Sequence, residues 1–316
     1  MAAESEARDQ ALLTPLPVSS RTEERNWRTA DIDVLSTEGI LRLLNAEDAT
    51  VAGAVASALP VLADVVDRVV ERLRAGGRVH YFGAGTSGRM GVLDSAEVPP
   101  TFGVEPATFI AHQAGGERAL AAAVEGVEDD QELGARDARD VTAADAVVGL
   151  TASGRTPYVA GALLVAGAAG ALTVLVSSNP AAPLAVAAQH HVLVDTGPEA
   201  ITGSTRLKAA TAQKMVLNAL STAAMVRLGR TYSNLMISMP GINAKLRQRQ
   251  LAILIEVSGA SEETCRSELL LCGGDLRLAM FCLLSGLEPK VAAGTLADAG
   301  GSLRTALDSL GLAGPA

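Results

Sequence analysis

The chain has 316 residues, of which 48% are hydrophobic and 3% aromatic, and this favours one large domain, alone or with a small appendage, over three domains. Lys and Arg total 26 against 35 Asp and Glu, so the formal net charge of -9 disfavours nucleic acid as a partner. The apolar run 160–176 is broken by glycines, and the first 25 residues carry charges throughout. We therefore predict no membrane segment and no secretory signal, and the cytoplasm as the compartment.

Helix and strand patterns alternate along most of the chain. Residues 1–20 mix charges with prolines and lack periodicity, which predicts a mobile N-terminal arm. Apolar residues at three- and four-residue spacing then predict a short helix over 36–45 and a long amphipathic helix over 46–74. Five β-rich runs follow at 78–82, 107–111, 146–150, 172–176 and 192–194, with helices predicted over 117–137, 157–168 and 206–228. This order predicts an α/β fold with a five-stranded parallel sheet flanked by helices on both faces.

The sequence changes character after Pro240 and Gly241. Residues 243–257 begin basic and end apolar, a stop and a new cap signal follow at 259–263, and a pair of glycines at 273–274 separates two further short helices. We predict a sheet domain with N-terminal helices over 21–240 and a small helical module over 241–316.

All three cysteines, Cys265, Cys272 and Cys282, fall in the last sixth of the chain. Their number is odd and no histidine lies near them at metal-ligand spacing. Buried free cysteine is common in protein cores, so the pattern predicts reduced core thiols and no metal site.

Each predicted strand ends in a polar loop, and in an open parallel sheet ligands bind beyond the carboxyl ends of the strands. The first loop, 83–88, has the spacing GxGxxG, but the next strand ends in Ala111, His112 and Gln113 and lacks the acidic residue that would hold a ribose. Gly85, Thr86 and Ser87 instead stand where a helix begins and exposes free backbone N–H groups. This loop predicts a monophosphate site.

Two further loops carry hydroxyls and cations ahead of predicted helices. The second loop contains Ser153, Gly154, Arg155 and Thr156, a set that also suits phosphate binding. The alternative to phosphate binding is that such hydroxyls only cap their helices. Two loops of this composition in one sheet favour phosphate binding more strongly than one loop would. The third loop contributes Ser204, Arg206 and Lys208. Both cations could be ordinary surface charges, yet an arginine in a first helical turn is unfavourable unless an anion is near.

Four stretches, at 83–106, 121–130, 152–159 and 197–214, closely resemble in sequence and order the N-acetylmuramic acid 6-phosphate etherases. These proteins belong to the sugar isomerase (SIS) superfamily of phosphosugar-binding α/β domains, so the resemblance implies a doubly wound SIS-type sheet. It covers roughly residue 36 to the C-terminus. The predicted C-terminal module resembles the small ubiquitin-associated-like helical end of that family.

The resemblance implies cleavage of the D-lactyl ether of N-acetylmuramic acid 6-phosphate without a metal or redox cofactor, by a homodimer. It points to Glu97 as the proton donor to departing lactate, to Glu128 as the partner carboxylate and C2 base, and to Glu199 as a contact to sugar hydroxyls. Elimination of an ether does require one acid and one base with different protonation states. Glu97 precedes an apolar run, where we expect burial to raise its pKa. Without the resemblance, Glu128 would be interpreted as part of a solvated acidic face.

Two other functions remain open at this stage. One is a phosphosugar sensor that resembles the glucokinase regulatory proteins, and the other is an aldose-ketose isomerase of the same superfamily. His112 could serve as a base, although a lone loop histidine is more often structural. The apolar helix 208–228 is too hydrophobic for open solvent, which together with the resemblance predicts self-association.

Overall fold

A five-stranded parallel sheet forms the centre of the computed structural model, which describes residues 20–312. Its strands are β1 (Val79–Gly83), β2 (Phe109–Gln113), β3 (Ala146–Leu150), β4 (Leu172–Ser177) and β5 (His190–Leu193). They lie side by side in the order β2-β1-β3-β4-β5, and all pairs are parallel. The predicted fold is confirmed. The predicted arm, 1–20, lies outside the described residues except for Ser20, which is buried.

Helices cover both faces of the sheet. Those of the sheet domain are α1 (Thr37–Asp48), α2 (Val51–Arg74), α3 (Gly85–Phe102), α4 (Arg118–Ala121), α5 (Gln131–Asp137), α6 (Pro157–Ala168) and α7 (Lys208–Arg227). Successive strand residues point to opposite faces, so Tyr81 enters the core shared with α2, α3 and α7, while Phe82 enters the core shared with α6. Burial on both faces explains why the strands are nearly continuous hydrophobic runs.

The stretch Thr37–Arg74, which contains α1 and α2, is long and apolar enough to cross a membrane by length and composition alone. Within it, Val55, Leu62, Val66 and Val69 recur at helical spacing, and all four are buried in the core beneath the sheet. The packing is that of a core helix.

The predicted continuous helix over 117–137 is wrong. The chain forms α4, a 3₁₀ turn over Val127–Asp129, and then α5. Helix α4 ends at Ala121 because Ala122 takes an extended conformation, and Gly126, with a positive φ of 77°, precedes the 3₁₀ turn. Asp130 starts α5 by accepting a hydrogen bond from the backbone N–H of Leu133 at 2.8 Å. Glu128 therefore lies on a short turn and not on a helical stripe.

After α7, a two-stranded antiparallel hairpin, β6 (Thr231–Tyr232) and β7 (Leu235–Met236), leads into a group of short helices. These are α8 (Ala244–Ser258), α9 (Glu262–Leu271), α10 (Leu276–Ser285), α11 (Pro289–Asp298) and α12 (Leu303–Ser309). They share an apolar core of their own, to which Cys265, Cys272 and Cys282 belong as free, buried thiols.

Candidate functional site

The strand order creates a switch point between β1 and β3. From β1 the chain crosses to β2 on one side, and β3 then lies on the other side of β1. Gly83 and Leu150, the last residues of β1 and β3, are register partners, so the loops that follow them leave the sheet about 5 Å apart. This position is where open α/β sheets bind ligands, and it brings the first and second predicted phosphate loops together.

Glycines allow the first loop to press its helix against the sheet. A Cβ on Gly88 would lie 2.1 Å from Oε1 of Gln113 and 2.5 Å from the carbonyl oxygen of Gly83, so only hydrogen fits there. Gly85 opens α3 with a φ of 54°. Thr86 and Ser87 follow in the first turn, half-buried, where backbone N–H groups have no intrahelical acceptor. The turn therefore carries hydroxyl and N–H donors of the kind that bind anions at helix starts.

The second loop is held by Thr151, a buried residue that is absent from the sequence-based predictions. Its hydroxyl lies 2.8 Å from that of Thr156 and 3.4 Å from that of Ser153, and it accepts a hydrogen bond from the backbone N–H of Gly154. Gly154 has a φ of 72°, and a Cβ there would meet Ala182 at 2.3 Å. The hydroxyls of Ser153 and Thr156 are thus oriented by the loop itself, and Thr156 does not cap α6.

Asn179, which follows β4, ties the second loop to its neighbour. Its side-chain N–H donates to the carbonyl oxygen of Ser153 at 2.7 Å, and the residue is fully buried. Arg155, at the tip of the same loop, is exposed. Beside the first loop, the buried Oε1 of Gln113 has no hydrogen-bond partner among residues 20–312. Polar groups at the ends of four adjacent strands, β2, β1, β3 and β4, therefore lie on one side of the sheet near the switch point.

Lys208 and Glu199, two of the predicted binding residues, make their polar contacts inside the protein. Lys208 is fully buried and its Nζ donates to Oε2 of Glu47 at 2.7 Å. Glu199 is also fully buried, and its two carboxylate oxygens accept from the backbone N–H groups of Lys208 and Ala209, each at 2.9 Å. Burial raises the pKa of Glu199, while these hydrogen bonds act in the opposite direction. Glu199 thus caps a helix and Lys208 forms a buried ion pair, while the sugar contact of Glu199 and the phosphate contact of Lys208 stay predictions.

The rest of the third loop is further from the switch point. It follows β5, two strands beyond β3, which corresponds to about 10 Å across the sheet. Ser204 is half-buried and Arg206 exposed, and Gly203 packs near the carboxylate of Glu23 from the N-terminal segment. The phosphate contacts of Ser204 and Arg206 stay predictions.

Glu97 lies far along α3, twelve positions after Gly85. At about 1.5 Å of rise per residue, the helix carries it roughly 18 Å from Gly85 and about 15 Å from Ser87. Glu97 is exposed, so the expectation that its own chain buries it is wrong. It lines a cavity of about 330 Å³ between α3 and α7, together with Asp94, Lys214 and Ser221.

The buried carboxyl on α3 is Asp94, one turn before Glu97. It accepts hydrogen bonds from the hydroxyls of Tyr81 at 2.9 Å and Ser221 at 3.0 Å. Burial raises the pKa of Asp94, and those two hydrogen bonds oppose the rise. Asp94 thus fastens α3 to β1 and α7.

Glu128 is exposed on the turn between α4 and α5, and it is not among the residues that line the Glu97 cavity. Within residues 20–312 of one chain, the structure joins the first two loops and leaves Glu97 on a different surface.

His112 is part of a stack of rings and not of the loop cluster. Its ring lies on Phe82 with centroids 4.1 Å apart, and its Nε2 is 3.0 Å from Nδ1 of His80. Burial, together with the nearby His80, lowers the pKa of His112 to about 4. These contacts support the structural interpretation of His112 over a role as a base.

One group of side chains within 20–312 has the spacing to hold a metal ion: Glu268, Cys272 and Cys282. Sγ of Cys272 lies 3.9 Å from Sγ of Cys282 and 3.6 Å from Oε1 of Glu268. Burial raises the pKa of both thiols, that of Cys282 to about 11, which opposes the thiolate form that metals bind. The raised pKa values of Cys272 and Cys282 support protonated thiols in the core of the helical group.

Two family models match the sheet domain. The model described as the glucokinase regulatory protein N-terminal SIS domain matches residues 61–167, and the SIS domain model matches residues 120–223.

Curated relatives match over most of their length. An N-acetylmuramic acid 6-phosphate etherase of Thermobifida fusca (strain YX) is 58% identical over 85% of this chain and 88% of its own. One of Klebsiella aerogenes is 46% identical over 91% of this chain and 97% of its own. The solved structure of the Vibrio vulnificus NanR protein complexed with ManNAc-6P overlaps with a TM-score of 0.45 at 16% identity, covering 63% of this chain and 67% of that one.

Proposed function

Because this chain belongs to the N-acetylmuramic acid 6-phosphate etherase family, we propose that it cleaves the D-lactyl ether of N-acetylmuramic acid 6-phosphate. The products are N-acetylglucosamine 6-phosphate and D-lactate. The observation that carries the proposal is the meeting of two hydroxyl-bearing loops at the switch point of the sheet, in a chain 58% identical to a curated etherase.

The loops after β1 and β3 hold the substrate phosphate. Thr86 and Ser87 offer hydroxyls and the N–H groups of the first turn of α3, and Ser153 and Thr156 offer hydroxyls from the neighbouring loop. The N-terminal end of a helix favours an anion by its dipole as well as by its free donors. Binding of the phosphate by these loops needs no carboxylate, so the catalytic carboxylates can act on the sugar ring.

The reaction is an elimination followed by hydration. In the ring-opened sugar, the proton at C2 is acidic because it lies beside the C1 aldehyde. A base removes that proton, the C3–O bond breaks, and an acid protonates the oxygen that leaves as lactate. Water then adds across the new double bond, placing hydroxyl at C3 and hydrogen at C2. We assign the acid to Glu97 and the base to Glu128.

A site that uses Glu97 needs a second subunit. Ser87 and Glu97 are ten residues apart on α3, which is about 15 Å of helix and much longer than a hexose. One chain therefore cannot hold the phosphate at Ser87 and protonate C3 through its own Glu97. We propose a homodimer in which Glu97 of one subunit completes the site that the loops and Glu128 of its partner begin.

The exposed surface of α3 supports this arrangement. Leu93, Ala96, Glu97 and Pro100 are all exposed and occupy one helical stripe, and the Leu93 residue is 45% exposed. An apolar stripe with a single carboxylate is typical of a surface covered in an assembly. Most apolar residues of α7, in contrast, are buried within the chain, so its apolar composition gives no separate support for the dimer. Three free, buried thiols fit a reducing compartment, and we propose the cytoplasm.

Incubation of the purified chain with N-acetylmuramic acid 6-phosphate tests the proposal by assay of D-lactate. We expect one lactate for each N-acetylglucosamine 6-phosphate formed. Binding of the phosphosugar without release of lactate would contradict the proposal and favour a sensor, the alternative raised by the match to the glucokinase regulatory protein domain. Conversion of an aldose phosphate to a ketose phosphate would favour an isomerase.

The Glu97→Gln variant tests the acid role, because glutamine keeps the shape of the side chain and removes its proton donor. We expect lactate release to be abolished and phosphosugar binding to change by no more than a few-fold. Glu71→Gln, at an exposed position of α2 outside the proposed site, is the matched control and should release lactate at the normal rate.

A further inference from the structure

A second cluster of cations lies between the sheet domain and the C-terminal helices. Two cavities, of about 800 Å³ and 1050 Å³, meet at Gly103 and Arg230, which line both. We call their combined walls the interdomain cleft. Its arginines are Arg74, Arg78, Arg227, Arg230, Arg247, Arg266 and Arg277.

The charge of the interdomain cleft is opposite to that of the whole chain. Seven arginines line it, against two acidic residues, Glu105 and Asp275. The chain as a whole carries a formal net charge of -9. A concave surface with this excess of one sign attracts anions.

Part of this charge is neutralised by the protein and part is not. Arg266 pairs with Glu262 at 2.6 Å, and Arg227 with Asp67 at 3.6 Å, both on exposed surfaces. Arg230 and Arg277, both half-buried, have no carboxylate within ion-pair distance among residues 20–312.

These two guanidinium groups also act on each other. Burial and the positive charge of Arg277 both lower the pKa of Arg230, and the charge of Asp275 opposes them only in part. Two like charges withdrawn from water without a paired counter-ion are unfavourable, and an anion between them would remove that cost.

The walls of the cleft offer further groups to a ligand. Oγ of Ser238 is buried there without a hydrogen-bond partner among the described residues, and Leu251 and Leu269 supply apolar surface beside it. Arginine, with its planar array of donors, is suited to phosphate. Polar and apolar groups together fit an organic phosphate better than a bare ion.

The interdomain cleft is separate from the proposed catalytic loops. Arg78 immediately precedes β1, and Thr108, another lining residue, precedes β2, so the cleft lies at the amino ends of the strands. The phosphate loops follow the carboxyl ends, about 17 Å away along a five-residue strand.

We propose that the interdomain cleft binds a phosphate-bearing small anion between Arg230 and Arg277. Arg230 follows α7 of the sheet domain, and Arg277 lies at the start of α10 in the helical group. The bound anion therefore links the two parts of the chain.

Inorganic pyrophosphate is the probe, titrated into the full chain by calorimetry. We expect saturable binding that Arg230→Gln with Arg277→Gln weakens by about tenfold or more, which corresponds to the loss of charge-assisted hydrogen bonds. The control, Arg42→Gln with Arg68→Gln, removes two arginines from exposed helical ion pairs and changes net charge equally. It should bind like the wild type.

Further variants separate the two anion sites. Ser87→Ala with Ser153→Ala weakens the catalytic loops and should leave the Arg230-dependent binding intact. If the double arginine variant does not fold, Arg247→Gln, an exposed change on the cleft wall, should still weaken binding several-fold. Equal binding by the cleft variant and its charge-matched control, or loss of binding only in the serine variant, would overturn the proposal.

Discussion

Replacement of Lys208 separates a structural role from a phosphate-binding role. Its ammonium is fully buried, 2.7 Å from Oε2 of Glu47, which is itself 4% exposed. Glu47 also accepts from Nε of Arg28 at 2.7 Å and from Nδ2 of Asn26 at 2.9 Å. Lys208 therefore joins α7 to the N-terminal segment through one shared carboxylate.

Lys208→Met keeps the volume of the side chain and removes its charge. Breaking a buried ion pair from one side costs about 3–5 kcal/mol, and the remaining partners of Glu47 place this variant near the lower limit. Glu47→Gln leaves the lysine ammonium buried without an anion and should cost more. The double variant should recover part of the loss, because neither charge is left unpaired.

Chemical denaturation of the three variants gives the free energies of unfolding, and phosphosugar binding is measured on the folded proteins. We expect binding to stay within a few-fold of the wild type. Normal stability of Lys208→Met together with a large loss of phosphosugar affinity would refute the structural role and restore the phosphate contact.

Three further outcomes follow from the geometry. In urea denaturation, Gly88→Ala should destabilise the chain by about 1–3 kcal/mol, because its Cβ would overlap Gln113 and the backbone of Gly83. The control Gly53→Ala has open space around it and should be neutral or stabilising by up to about 1 kcal/mol. The pKa of His112 is lowered from 6.5 to about 4 in the folded chain, so the unfolded chain binds the proton first and the free energy of unfolding should fall as the pH decreases from 6.5 toward 4. The dependence of that free energy on pH should be weaker in His112→Gln. An equal dependence in the variant and the wild type would contradict burial of a neutral ring. Ser87→Ala should weaken all 6-phosphorylated ligands alike, by about 1–3 kcal/mol in calorimetry, with the exposed Ser57→Ala as control; an effect on one sugar alone would speak against a phosphate contact.

The sheet and its first two loops can be predicted because their signals are local. Burial on both faces makes the strands continuous apolar runs. The glycines of 83–88 directly follow β1 in sequence, and they allow α3 to pack closely against it. The break before Glu128 escapes prediction because the alanines at 121–123 are strong helix formers, yet Ala122 is extended and Gly126 takes a positive φ.

The third loop shows what local patterns leave out. Lys208 and Glu199 have the composition of a phosphate loop, but the partner of Lys208 is 161 positions away in sequence. Glu199 caps a helix nine positions later. Burial and pairing over such separations depend on the packing of the whole domain, and a sequence motif does not encode them.

The central claim is a catalytic site shared between two subunits. Glu97→Gln and Glu128→Gln should each be inactive alone. When the two variants are unfolded together and reassembled, half of the dimers combine one chain of each kind, and each such dimer contains one site with both carboxyls. We expect lactate release to return to about a quarter of the wild-type rate. If the mixture stays as inactive as its components, although mixed dimers form, Glu97 and Glu128 do not act from different chains and the shared site is refuted.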